Sequence, residues 1–204
     1  SSNISQTLEM SGLWDSFRER PFNRVPELNS AAENIFINCC KQDSLVLDPS
    51  VLIAEEDTYF AEGLKRVREL AKTNCYVVSN QELNLAQAGC EFIIIEGNDQ
   101  TGNTSAHIQA LNPIRKSEKT WSIDWQDVIR IGKLFINQKL CSEKYISITG
   151  PNCSEPKIVL TTAGASMEEV TAGIANGLVR RISGSAIYGS YGDSYTDFLT
   201  RYSN

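Results

Sequence analysis

The sequence lacks the short motifs that bind nucleotides, zinc and iron–sulfur clusters. Neither the dinucleotide fingerprint G-x-G-x-x-G nor the P-loop G-x-x-x-x-G-K-[ST] occurs in the 204 residues. There is one histidine, and no two of the six cysteines form C-x-x-C. Because metal and cluster sites normally need closely spaced ligand pairs, we expect no such centre. The cysteines are interpreted as buried, reduced thiols: Cys39, Cys40, Cys75, Cys90, Cys141 and Cys153.

Long apolar runs and an excess of basic charge are also missing. The longest apolar run, Phe92–Ile95, is far shorter than the roughly 20 residues that a membrane-spanning helix needs. We therefore expect any role in a membrane process to be performed from the aqueous side. The net charge of -6 and the pI near 4.9 exclude a general nucleic-acid binder, because phosphate neutralisation requires a basic field.

Hydrophobic residues make up 41% of the chain, which is enough to bury a sizeable core in one or two domains. Apolar spacing and β-branched runs predict helices alternating with strands in the first part of the chain. The continuous apolar strands are typical of a parallel sheet that is buried on both faces. The sequence thus predicts an α/β architecture with this order: helix 5–17, strand Asn34–Asn38, loop or helical turn Ser44–Ala54, helix Glu55–Lys72, strand Asn74–Ser79, helix Gln81–Ala88, strand Glu91–Gly97, polar loop Gly97–Ser105, and a helix from its N-cap Asp124 to about Leu140.

The pattern changes after Cys141. The order strand, strand, helix, strand predicts a β-grasp fold, so we expect a domain boundary there, with domains 1–141 and 142–204. Within the helix that precedes the boundary, Gly132 lies on a continuous apolar face, and we expect another backbone to approach it closely. The predicted elements after the boundary are a hairpin of Lys144–Thr149 and Lys157–Thr161, a helix with a capping box of Ser166 and Glu169, and a strand Leu178–Ile182 followed by the Gly- and Tyr-rich run Ser183–Gly192.

Four segments resemble the A subunit of the Na+-translocating NADH:quinone oxidoreductase, a bacterial respiratory complex. They are SGLWDSFRERPF, WSIDWQDVIRIGKLF, YISITGPNCSEPKIVLTTAGASMEEV and VRRISGSAIYGS. This family is a distant relative of the flavin-binding subunit of respiratory complex I. The resemblance implies a Rossmann-like domain with a parallel sheet, followed by a soluble ligand-binding (ubiquitin-like) β-grasp domain. Full-length members of the family have, in addition, an N-terminal biotinyl-like region and a C-terminal helical region, so we expect this chain to be an internal fragment.

The comparison with complex I also shows what the chain lacks. The flavin subunit holds its cofactor with a glycine-rich loop that begins with the same SGL as Ser11–Leu13. Here the residues from Trp14 to Pro21 contain no glycine, and Asp15 and Glu19 would repel an anion. The segment after the first strand, Cys39–Asp43, has no glycine either. We therefore expect the fold to be retained while flavin and NADH binding are lost.

The resemblance implies a peripheral subunit on the cytoplasmic side of the bacterial inner membrane. The whole complex would pass electrons from NADH to ubiquinone and export Na+. FMN, FAD, riboflavin, iron–sulfur centres and NADH are expected on other subunits, so we expect no cofactor and no catalytic residue in this fragment. The implied partners are the other subunits of the membrane-embedded complex and quinone, with no nucleic acid. The quinone-binding candidates are Trp14, Phe17, Arg18, Arg20, Pro21, Phe22, Arg24 and His107.

Each of these assignments has an alternative. Aromatic rings and arginines suit a quinone ring and its carbonyl oxygens, but they suit packing on the sheet or on a partner protein equally well. His107 could give a proton to reduced quinone, or it could be a solvated or hydrogen-bonded residue of a polar loop. For the whole chain, the alternatives are a pure assembly scaffold without a ligand and a flavin- or NADH-binding oxidoreductase domain.

Overall fold

The computed structural model describes residues 2–28, 30–41, 47–85, 88–96, 102–116, 118–174, 179–184, 189–192 and 197–199. By internal contacts the chain divides into two compact units, one of residues before Ser142 and one mainly of residues from Ser142 onward. Among the described residues, no helix is long and apolar enough to cross a membrane.

The first unit is an α/β layer structure around a five-stranded sheet. The strands, in the order in which they lie side by side, are β1 (Arg18–Arg20), β5 (Thr120–Asp124), β2 (Ala32–Cys39), β3 (Ala71–Ser79) and β4 (Glu91–Ile94). The β2 strand pairs in parallel with both β3 and β5, β3 pairs in parallel with β4, and β1 is antiparallel to β5. The helices of this unit are α1 (Ser2–Met10), α2 (Pro49–Glu55), α3 (Asp57–Arg68), α4 (Thr104–Leu111) and α5 (Trp125–Asn137). The predicted α/β class is confirmed.

The core of this sheet lies in its central strands. Ile35, Phe36 and Ile37 of β2 are fully buried, as are Val77 and Val78 of β3. Such continuous apolar strands belong in a sheet that is covered on both faces. The edge strand β4 differs from the prediction, because its residues are at most partly buried.

Two glycines allow α3 and α5 to cross in contact. A Cβ atom at Gly132 would overlap the Tyr59 carbonyl, and one at Gly63 would overlap the Val128 carbonyl. The predicted backbone approach at Gly132 is therefore confirmed. Asp124 caps α5 as predicted, since its Oδ1 accepts a hydrogen bond from the Gln126 amide at 3.0 Å.

The described residues of the second unit form two antiparallel ribbons and one short helix. Its elements are β6 (Glu143–Ile148), β7 (Lys157–Thr162), α6 (Met167–Val170), β8 (Ile182–Ser183) and β9 (Ser190–Tyr191). The predicted hairpin is present, and Ser166 caps α6 by accepting from the Glu169 amide at 3.3 Å. Ile146, Met167 and Leu199 form the buried centre of the unit.

Several predicted elements are wrong in extent or type. The first helix ends at Met10, because Gly12 takes a left-handed conformation (φ 71°) and a 3₁₀ turn, Leu13–Ser16, follows. The α3 helix ends at Arg68, and Ala71 already begins β3. The described part of the predicted helix Gln81–Ala88 is not helical up to Leu85. The Ser79 hydroxyl instead donates to the Gln81 carbonyl at 2.6 Å, a local bond that competes with helix formation.

Other differences concern one helix and one strand. Part of the predicted polar loop, Gly97–Ser105, begins α4, because the Asn103 side chain accepts from the Ser105 amide at 2.9 Å and caps the helix. Of the predicted strand Leu178–Ile182, only Ile182 is in a strand, and Leu178 lies outside the described residues. Parts of Ser44–Ala54, of Gly97–Ser105 and of Ser183–Gly192 also lie outside them.

Substitution of Gly132 by alanine tests the helix crossing. Alanine favours helix by about 1 kcal/mol over glycine, but here its methyl group meets a backbone carbonyl that cannot rotate away. We expect Gly132→Ala to lower the free energy of unfolding by about 1–3 kcal/mol, measured by urea denaturation. Asn137→Ala, at the exposed end of the same helix, is the matched control and should be neutral or slightly stabilising. Equal stability of the two variants would contradict the proposed contact.

Candidate functional site

Two of the predicted quinone contacts, Trp14 and Phe17, lie in the core. Their rings and that of Trp121 on β5 form one cluster, with centroid separations of 5.5 Å, 5.5 Å and 5.8 Å. Phe17 and Trp121 are fully buried, and the indole N–H of Trp14 donates to the Pro26 carbonyl at 2.8 Å. Edge-on and tilted aromatic packing of this kind stabilises a fold beyond area burial alone. These side chains anchor the N-terminal segment to the sheet.

The polypeptide after β1 forms a narrow hairpin loop, Arg20–Asn23, that exposes one aromatic ring. Glu19 and Arg24 exchange backbone hydrogen bonds of 2.7 Å and 3.3 Å at its base. The loop contains a cis Arg20–Pro21 peptide bond, and Asn23 has a positive φ of 54°. Phe22 at its tip is 77% exposed, and the Arg24 guanidinium lies 6.0 Å from the centre of its ring.

A buried carboxylate holds the base of this loop. Glu19 is 5% exposed, and its Oε1 accepts from Nη2 and Nε of Arg24 at 2.6 Å and 3.0 Å. Lys119 Nζ lies 3.9 Å from the other carboxylate oxygen. The hydrogen bond and the charge of Glu19 raise the pKa of Arg24 above its usual value. The exposed rim of the loop is therefore basic, and the buried carboxylate of Glu19 holds its base through hydrogen bonds from Arg24.

The other two arginines of the segment are bound to neighbouring polar groups. Arg18, at the start of β1, donates to the Asp15 carbonyl of the preceding 3₁₀ turn at 2.7 Å. Arg20 donates through Nη2 to the Ser105 hydroxyl, at the start of α4. Partial burial lowers the pKa of Arg20 from its usual value. Arg20 thus connects the hairpin loop to the helix that carries His107.

His107 is buried on a helix, so its predicted place in a polar loop is wrong. Of the two alternatives to a proton donor, the solvated one is excluded while the hydrogen-bonded one is not. It is 1% exposed on α4, with Nε2 3.8 Å from the Cys40 Sγ. Cys40 also lies 3.6 Å from the Val78 carbonyl, and desolvation raises the pKa of this thiol to about 11. On its Cys40 side the imidazole therefore faces a neutral thiol rather than water.

The crevice where a doubly wound sheet would bind a ligand lies at the carboxyl ends of β2 and β5. The chain continues from β2 toward β3 on one side, while β5 lies on the other, and Asn38 is paired in register with Asp124. The Asn38 side chain donates to the Gly102 carbonyl at 2.8 Å and to the Thr104 hydroxyl at 3.0 Å. The chain's own polar groups thus bond to one another at this edge, where a nucleotide site needs open backbone amides.

The second unit contains a separate groove of about 400 Å³ between its hairpin, α6 and the segment before β8. Apolar side chains line it, together with Arg180 and Arg181. Arg181 donates through Nε to the Thr171 hydroxyl at 2.9 Å, and Arg180 lies over the ring of Tyr191. Among the residues described in the two units, no three His, Cys, Asp or Glu side chains are placed to hold a metal ion.

The sequence shows the aromatic and basic composition of this segment, but it shows neither the hairpin nor the residues that support it. Glu19 stands inside the RER run, and its interpretation as a residue that repels anions overlooked its role as the partner of Arg24. Ser105 and Cys40 had no sequence signal, because their partners Arg20 and His107 are far away in the chain. Phe22 and Arg24 are the members of the predicted set that lie together at the exposed rim.

Two domain families match consecutive parts of this chain. The family described as "NqrA second alpha/beta domain" matches residues 1–140, and "NQRA C-terminal domain" matches residues 145–192. Together they cover most of the chain.

Curated relatives belong to the same family. In Saccharophagus degradans, the A subunit of the Na(+)-translocating NADH-quinone reductase is 35% identical in an alignment of 198 residues that covers 95% of this chain and 44% of the relative. Its counterpart in Haemophilus influenzae is 35% identical over 207 residues, covering 99% of this chain and 46% of the relative. The chain thus spans a little under half the length of the curated relatives it matches.

Solved structures support the same fold. Two crystal structures of NAD+-reducing [NiFe]-hydrogenase, in the H2-reduced and air-oxidized states, superpose with TM-scores of 0.63 and 0.71. The matches cover 97% and 98% of this chain and 44% of each hydrogenase chain, at 14% sequence identity. This likeness concerns the fold alone. The domain-family matches and the curated relatives show that the chain belongs to the NqrA family, the A subunits of Na(+)-translocating NADH-quinone reductases.

Proposed function

We propose that this chain is part of a peripheral subunit in a Na+-exporting NADH:quinone reductase, on the cytoplasmic face of a bacterial inner membrane. In this proposal the subunit carries no redox centre and helps to shape the access of quinone to the complex. NADH, flavins and iron–sulfur centres are held by the other subunits. The activity named for the curated relatives supports this assignment.

The observation that carries the proposal is the exposed ring of Phe22 at the tip of an anchored loop. Covering a ring that is 77% exposed removes apolar area from water and so stabilises a complex that forms there. The loop is held by the Glu19–Arg24 pair and by the contact of Arg20 with α4, so it presents the ring without large rearrangement. Arg24 beside the ring can donate hydrogen bonds to a quinone carbonyl oxygen.

In this proposal the quinone site contains fewer residues than the sequence predicted. Trp14 and Phe17 support the loop from the core. Arg18 is hydrogen bonded to the preceding 3₁₀ turn, and His107 is buried on α4. The quinone-facing group is then Phe22 with Pro21, Arg20 and Arg24. Proton delivery by His107 would need a path from the buried ring to the ligand.

The second candidate function is an assembly scaffold without a ligand. The burial of Trp14 and Phe17 favours it, because most of the aromatic area of the segment is used in packing. In this case another protein of the complex covers Phe22, as aromatic side chains at the centre of interfaces often are covered. The flavin- or NADH-binding alternative has the least support, since Asn38 and its partners bond to one another at the crevice.

Substitution of Phe22 by alanine in the assembled complex tests the ligand role. Removal of a contacting aromatic side chain costs more than about 1 kcal/mol, which corresponds to about fivefold in affinity. We expect Phe22→Ala to shift the midpoint of inhibition by a quinone analogue by at least that factor, with unchanged stability. Phe17→Ala, in contrast, removes a buried ring and should lower the free energy of unfolding by about 3–5 kcal/mol. Superimposable inhibition curves for Phe22→Ala and the unmodified complex would oppose a ligand role.

A fluorescence titration separates the ligand role from the scaffold role. Trp14 packs in the cluster that supports the loop, so binding of quinone at Phe22 should change tryptophan emission of the 204-residue chain. We expect a saturable change that Phe22→Ala abolishes. An emission that falls only linearly with quinone, by inner-filter absorption, would favour the scaffold.

A further inference from the structure

Two cysteines outside the site, Cys75 and Cys90, lie side by side. The parallel pairing of β3 with β4 begins with Tyr76 opposite Glu91, so each cysteine immediately precedes one member of this first pair. Their thiols are hydrogen bonded to each other, and neither is in a disulfide. Neighbouring strands lie about 4.8 Å apart, which is within the Cα separation of roughly 4.4–6.8 Å that a disulfide spans.

The guanidinium of one arginine is hydrogen bonded to the backbone near each of the two cysteines. Arg68, at the end of α3, donates to the Gly89 carbonyl at 3.0 Å, directly before Cys90. It also donates to the Thr73 carbonyl at 3.2 Å, two residues before Cys75, and to the Ala71 carbonyl at 2.8 Å. The two thiols are therefore held in register by a cation, an arrangement that opposes divalent metal binding and favours a thiolate.

Of the two cysteines, Cys90 is slightly less buried than Cys75. Cys90 precedes the edge strand β4, and the next residue, Glu91, is exposed. Cys90 is 6% exposed and Cys75 is 2% exposed. Cys90 is thus the less buried of the two thiols, and we expect a molecule as small as a peroxide to reach it before Cys75.

The electrostatic environment distinguishes Cys90 from the other buried thiols. The hydrogen bond from Cys75 and the charge of Arg68 lower the pKa of Cys90, whereas the same hydrogen bond and burial raise the pKa of Cys75. Burial raises the pKa of Cys39 as well, and that of Cys40 to about 11. Because the thiolate is the reactive form, Cys90 should be the first of these four to be oxidised.

We propose that Cys75 and Cys90 form a dithiol site that a peroxide oxidises to an intramolecular disulfide. The Cys90 thiolate attacks one peroxide oxygen, so that an S–O bond forms, the O–O bond breaks and hydroxide leaves as water after taking a proton. The Cys75 sulfur then attacks the sulfenic sulfur of Cys90. The S–S bond forms, the S–O bond breaks, and the leaving hydroxide takes the Cys75 proton. In total, two thiols lose two electrons and hydrogen peroxide is reduced to two waters.

Peptide mapping of the full 204-residue chain tests this directly. The folded protein is treated with hydrogen peroxide, its remaining thiols are blocked with N-ethylmaleimide in denaturant, and it is digested with trypsin and a glutamate-specific protease. Cleavage after Lys72, Glu82 and Glu91 separates the two cysteines. We expect peptide Thr73–Glu82 linked to peptide Leu83–Glu91, with Cys40 still blocked by maleimide. Linkage of either cysteine to a different partner, or maleimide on both, would overturn the proposal.

Single substitutions distinguish the two roles within the pair. In Cys75→Ser the disulfide is lost and Cys90 should stop at the sulfenic acid, which dimedone traps. In Cys90→Ser the peroxide should leave Cys75 reduced. Cys141→Ser and Cys153→Ser are the matched controls, and both should form the linked peptides at the unmodified rate.

Far-ultraviolet circular dichroism checks that each variant is folded. Brief peroxide treatment of the unmodified chain with dimedone present gives the same information without any substitution. We expect dimedone on Cys90 in that experiment. Dimedone on Cys75 instead would refute the assigned order, whether or not a variant is stable.

Discussion

The packing of Trp14 and Phe17 against Trp121 is the contact on which the rest of the site depends. It attaches the N-terminal segment to one edge of the sheet, where β1 can pair antiparallel with β5. Only from that position does the chain turn back through Arg20–Asn23 over the buried carboxylate of Glu19. The packing of these three buried rings thus positions the loop that exposes Phe22.

The same segment bears on whether this fold binds a nucleotide in this chain. The fold is shared with hydrogenase chains at 14% identity, so architecture alone says nothing about a ligand. In this chain large side chains follow Gly12, and three of the residues of the 3₁₀ turn are buried. At the carboxyl ends of β2 and β5, Asn38 bonds to the start of the α4 region. Both features agree with the expectation that nucleotide binding is lost in this chain, because phosphate binding requires exposed backbone amides.

The sequence predicts elements well where one local signal decides them. The apolar run of β2, the caps Asp124 and Ser166, and the close approach at Gly132 each follow from a few adjacent residues. It fails where tertiary pairing decides, as in β1, which is a strand only because β5 lies beside it. The site divides in the same way: its aromatic and basic composition is visible, but which rings are buried depends on Trp121, far along the chain.

The central claim is that the tip of the hairpin loop faces a binding partner. Photo-crosslinking from position 22 in the assembled reductase tests it most directly, with a photoreactive phenylalanine analogue in place of Phe22. Met10 on α1 is 88% exposed and provides the matched control position. We expect position 22 to crosslink to a photostable quinone analogue or to another protein of the complex, and position 10 to do neither. A complex that is fully assembled and active but gives no crosslink from position 22 would contradict the claim.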